Sequence, residues 1–85
     1  MSKTATDFFN EIDNQRKKYA RFEPANIVYG SNVMPILKMF TGLSSYEERR
    51  SFREALETML ADEDPNRRQF AVTVCLGFVV FRDSL

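Results

Sequence analysis

A chain of 85 residues has room for a single domain, residues 1–85, and a domain of that size buries only about 60–65% of the surface its unfolded form exposes. Twelve Lys and Arg balance 12 Asp and Glu, so a formal net charge of zero leaves no global field to draw the chain to nucleic acid or to an anionic membrane. His is absent and Cys75 is the sole cysteine, which excludes a Ser-His or Cys-His catalytic pair, an ordinary zinc site and an intramolecular disulfide.

Residues 4–22 read as a first helix. Thr4 and Asp7 have capping-box spacing, with Asp in place of the usual Glu. Phe8, Ile12, Tyr19 and Phe22 fall on one face, interrupted by Gln15 and Arg16. Arg16, Lys17, Lys18 and Arg21 collect near its C-terminus, where cations suit the helix dipole and are expected to be solvated. Residues 23–32 read as a loop. Pro24 disfavours helix at Glu23, and Gly30-Ser31-Asn32 is turn chemistry. Ile27, Val28 and Tyr29 within it are apolar enough to pack down on the core.

A short second helix fits residues 33–41, with Asn32 as N-cap, Pro35 in the first turn and Gly42 as its stop. Ile36, Leu37 and Phe40 form its apolar face. The third helix has a Ser45/Glu48 capping box, or the same pattern one residue earlier in Ser44 and Glu47. Phe52, Leu56, Met59 and Leu60 supply its core stripe. Arg50 with Glu54, and Arg53 with Glu57, have the spacing of helical ion pairs.

Asp62-Glu63-Asp64-Pro65-Asn66 is a turn, with Asp64 as N-cap and Pro65 as first residue of a fourth helix that runs to about Phe81. The stretch from Phe70 to Phe81 is rich in β-branched and aromatic residues and contains Gly77. Read alone, it also fits one or two buried strands; the Asp-Pro start and the length favour helix. As a helix it is apolar nearly all round, which predicts a central element covered on several sides. The stretch is too short to cross a bilayer, which needs about 20 residues. The fold expected is all-α, a compact bundle of about four helices whose last two form an antiparallel pair.

Helices three and four resemble a HEAT-type repeat. The features are Leu60 at the end of the first helix, the acidic Asp64-Pro65 turn, Arg67 or Arg68 early in the second helix, Ala71, and Leu76-Gly77 near its end. Residues 1–43 show no second copy. The resemblance implies a binding scaffold without a shared active site. Units of this kind bury their apolar faces by stacking, so a chain with at most two helix pairs either caps its own core or leaves apolar surface for a partner.

No residue pattern marks a catalytic centre, a metal site or a cofactor site. Three isolated glycines make no phosphate loop, and Asp62-Glu63-Asp64 lacks the spacing of a calcium loop. Cys75 lies in the most apolar segment, where burial makes a thiol inert. The expectation is a non-enzymatic protein-binding module. In size, lack of catalytic equipment and expected cytoplasmic location, the chain is similar to the small bacterial immunity proteins and antitoxins that neutralise a toxic enzyme. Glu47, Glu48, Asp62, Glu63 and Asp64 are then candidate contacts for a basic partner, with Tyr46 and Tyr29 as aromatic anchors. Phe70, Phe78 and Phe81 are assigned to the core as a set, with at least one facing solvent or a partner. Two alternatives remain: a homo-oligomer joined through the apolar C-terminal helix, and a nucleic-acid accessory protein using Arg16 to Arg21 with Tyr19 and Phe22. The absence of a signal sequence and of disulfides fits the cytoplasm, and the short tail after the last helix fits a complete small protein.

Overall fold

The structure is a computed structural model, and it describes residues 2–18 and 33–82. Within them lie four helices: α1 (Ala5–Lys18), α2 (Met34–Thr41), α3 (Tyr46–Leu60) and α4 (Pro65–Val80). The protein is therefore an all-α bundle of about four helices. The ambiguous stretch beginning at Phe70 is helical as far as Val80. The end of the expected first helix, the loop 23–32 with Tyr29, and the expected cap Asn32 lie outside the described residues.

Local chemistry sets the helix starts. At α1 the Thr4/Asp7 box is reciprocal: the Asp7 N–H donates to Thr4 Oγ1 at 3.2 Å and the Thr4 N–H donates to Asp7 Oδ2 at 3.0 Å. Asp satisfies the box despite its shorter arm. These two bonds, the backbone one foremost, hold the Asp7 carboxyl below its ordinary range. At α2 the capping residue is Val33, which offers no side-chain hydrogen bond. Its carbonyl accepts from Ile36 and Leu37, Pro35 needs no acceptor, and the fully buried Val33 side chain anchors the helix start by packing. Gly42 ends α2 at φ −79°, so the stop does not use the left-handed conformation that glycine permits.

At α3 the Glu48 N–H donates to Ser45 Oγ at 3.4 Å, and the Glu48 carboxylate accepts the Lys3 N–H at 3.1 Å. That second bond ties the segment before α1 to the start of α3. At α4, Asp64 Oδ1 accepts the Asn66 N–H at 2.8 Å with Pro65 in the first turn. Asp64→Ala is expected to cost about 1 kcal/mol of stability, read from a urea melt, because it removes that acceptor.

The core is built from one face of each helix: Phe8 and Ile12 of α1, Ile36 and Leu37 of α2 with Val33, Phe52, Ala55, Leu56 and Met59 of α3, and Phe70, Ala71 and Val74 of α4. Leu60, expected in the α3 stripe, is instead exposed, because the chain turns away at that last helical residue; Ala55 completes the buried face. Four phenylalanines link the helices. Phe52 meets Phe8 edge-on with ring centroids 5.5 Å apart, Phe40 at 5.1 Å and Phe78 at 6.3 Å, and Phe40 meets Phe78 at 5.3 Å. Phe78, late in α4, thus lies against Phe52, early in α3, as an antiparallel pair requires.

α4 packs on all three other helices. It comes close to α2 at Gly77. A Cβ built there would sit 2.9 Å from Val33 Cγ1 and 3.3 Å from Leu37 Cδ1, both fully buried. Glycine is needed here for that proximity. Gly77→Val is expected to destabilise by about 1–2 kcal/mol by thermal melt, because overpacking against the stiff Val33 outweighs the gain in helix propensity. One helical turn earlier, buried Thr73 satisfies its hydroxyl by donating to the Gln69 carbonyl at 2.9 Å.

Candidate binding surface

α4 is covered on three sides and open on a fourth. Val72, Leu76, Val79 and Val80 are exposed, Val79 to 65%. Their spacing places them along one stripe of the helix about 12 Å long. The side chains at the start of the same face, Arg68 and Gln69, are exposed and polar. An apolar stripe of this kind beside polar neighbours is what a contact surface needs.

More than a third of a turn around α4 from the middle of that stripe, on the side of Phe78, is a hollow of about 210 Å³ lined by Phe40, Phe52, Arg53, Leu56 and Phe78. It is where the four-phenylalanine cluster reaches the surface. Of the three C-terminal phenylalanines assigned to the core, Phe70 is buried, while Phe78 and Phe81 are half-buried and pack against it. Arg49 crosses the neighbouring ring: its Nε donates to the Leu43 carbonyl at 2.8 Å and its guanidinium lies 5.9 Å from the Phe40 centroid. A second hollow, of about 260 Å³, lies between α1 and α3 and is lined by Ala5, Thr6, Phe9, Ala55 and Thr58.

The acidic candidates fall elsewhere. Asp62 accepts the Asp64 N–H at 2.8 Å and pairs with Arg67 at 3.4 Å; Asp64 is the α4 cap. Arg68 donates to the carbonyls of Asp62 and Glu63 at 2.7 and 3.0 Å. The turn is thus closed on itself, and the exposed carboxylate of Glu63 remains for outside contact. Glu48 is taken by Lys3, whereas Glu47 and Tyr46 are exposed, Tyr46 to 77%. These residues stand at the start of α3 and the acidic turn at its end, about 22 Å away along a 15-residue helix. The structure does not bring the two groups together.

The residue that sequence reasoning missed is Asp13. It is 4% exposed and gathers three cations: Arg16 at 2.8 Å, Lys17 at 3.3 Å and Arg67 at 3.1 Å. Burial alone would raise its pKa, but hydrogen bonds from Arg67 and Arg16 hold it at about 2. Arg67 also lies over the Phe9 ring, 5.4 Å from its centroid. Arg16, expected on a solvated helix end, is therefore largely enclosed and committed to a carboxylate. The spacing of Asp13 with Arg16 and Lys17 was legible; the partner from α4 was not.

Cys75 is half-buried, and burial pushes its thiol up, away from the reactive thiolate. Among the described residues no group of three or more Cys, Asp or Glu side chains could hold a metal ion, and no helix is long and apolar enough to cross a membrane. No protein-family model, curated protein or solved structure matches the chain.

Proposed function

We propose that this chain is a non-enzymatic protein-binding module whose partner covers the open face of α4. The observation that carries the reading is the stripe Val72, Leu76, Val79 and Val80, left exposed on a helix whose other sides are packed. The HEAT-like features of residues 45–81 support it, since such helix pairs complete their apolar burial through a neighbour. The sequence offers no histidine, and the one thiol is held in its unreactive form. In its narrower form the partner is a toxic enzyme that loses activity when bound.

The test is the double variant Leu76→Glu/Val79→Glu. Both positions face solvent, so the variant is expected to fold with a stability close to wild type. A partner recovered stoichiometrically with the tagged wild-type chain, then purified, should bind wild type and fail to bind the variant. Equal binding of both would remove α4 from the interface. For the inhibitor form, the partner's catalytic rate is measured with and without the chain.

One observation favours a second reading. The exposed α4 stripe carries no charge, so two copies could pack stripe to stripe without repulsion. Sedimentation equilibrium then gives twice the chain mass for wild type and a single mass for the double variant. A single mass for both ends that reading.

A further inference from the structure

We propose that the hollow bounded by Phe40, Phe52, Leu56 and Phe78 seats one large apolar side chain of a partner polypeptide, and that Arg53 at its rim meets an adjacent Asp or Glu of the same segment. This deepens the protein-binding reading and rests on it, while placing the anchor on a different side of α4 from the exposed stripe.

Three observations select this occupant. The first is size. At about 210 Å³ the hollow is below the roughly 300–1,000 Å³ of sites that enclose a whole drug-sized ligand or cofactor, and suits a single Leu, Met or Phe side chain. The second is its lining. Three phenylalanine rings in mutual contact, Phe78 edge-to-face with both Phe40 and Phe52, give an apolar floor, so an entering side chain meets a preformed seat and orders little of the protein.

The third is charge. Arg53 is exposed and makes no ion pair or hydrogen bond among the described residues, although Glu57 stands one turn further along α3. Arg50, by contrast, is paired with Glu54 at 3.2 Å. Arg49, held over Phe40 through its Nε, adds a second positive charge beside the same cluster. One arginine unpaired among the described residues, Arg53, thus stands in the lining of an apolar seat, with Arg49 over its Phe40 ring. Complementarity then calls for an acidic segment with a bulky apolar residue. Arginine beside aromatic rings is also the composition in which interface energy concentrates.

The probe is a random dodecapeptide display library, panned on the full chain, with selected peptides then synthesised and titrated. The expected consensus is a Leu, Met or Phe flanked by Asp or Glu. Binding should shift the amide resonances around Phe40, Phe52 and Phe78, and should weaken as salt rises. Arg53→Glu, at an exposed position, should lower affinity at least about tenfold while leaving the thermal melt unchanged. Arg53→Lys, which keeps the charge, should restore most of the loss. Selected peptides without acidic residues, or unchanged affinity in Arg53→Glu, would overturn the proposal. Peptides that shift resonances at Val72, Leu76 and Val79 and leave Phe78 unmoved overturn the pocket and keep the binding module. A failure to select any peptide overturns the pocket, while the protein partner tested through Leu76→Glu/Val79→Glu stands or falls separately.

Discussion

Phe52→Ala is expected to lower the melting temperature by about 15–30 °C. Phe52 is fully buried and its ring meets those of Phe8, Phe40 and Phe78, so it joins α1, α2 and α4 through one side chain of α3. Removing a buried ring loses its transfer free energy and leaves a cavity, together about 3–5 kcal/mol. A chain of this length has on the order of 4–13 kcal/mol in total. For a domain of this size each kcal/mol moves the midpoint by about 4–8 °C. Scanning calorimetry on wild type and variant gives the shift directly. Should the variant fail to fold, Phe52→Leu keeps most of the volume and is expected to cost about 1–2 kcal/mol. A melting temperature within a few degrees of wild type for Phe52→Ala would mean that the four rings do not act as one core.

The fold was legible because local signals and apolar periodicity agreed. Thr4/Asp7, Ser45/Glu48 and Asp64-Pro65 each mark a helix start by chemistry confined to a few residues. Phe52, Leu56 and Met59 mark a buried face by spacing alone. The fourth helix was harder, since its β-branched residues suit strands; the cap at Asp64 and the packing of Gly77 under Val33 resolve it. The surface was less legible. A helix apolar all round gives no hint of which side its neighbours leave open, so the stripe through Leu76 and Val79 needed the placement of the other three helices. Carboxylates are hard to read for a related reason. Asp62, Glu48 and Asp64 look like contacts in a sequence, but each is taken by a backbone N–H nearby in the fold. The Phe40–Phe52–Phe78 hollow draws on three helices, and no local pattern announces such a site.

Asp13→Asn is expected to destabilise the chain by about 2–3 kcal/mol at neutral pH, with a pH signature that identifies the cause. In the folded state the Asp13 carboxyl is held at about 2, against 3.8 for a free side chain. A depressed carboxyl contributes stability that is fully present above the unfolded value and is lost as pH falls through the folded one. A depression of that size corresponds to about 2 kcal/mol. Replacing the carboxylate by an amide removes that contribution and leaves Arg16 and Arg67 facing a neutral group in a largely enclosed site. The difference in unfolding free energy between wild type and variant should therefore be constant from about pH 5 to pH 8. It should shrink by about 2 kcal/mol as pH is lowered towards 2, where the unfolded carboxyl is almost fully protonated and the folded one about half protonated. Urea melts at a series of pH values give the two curves. A gap that stays constant down to pH 2 would show that Asp13 holds α1 to α4 by shape and hydrogen bonding, with its charge contributing nothing. A gap that closes places the link between Asp13 and Arg67, 54 residues apart, among the electrostatic supports of the bundle.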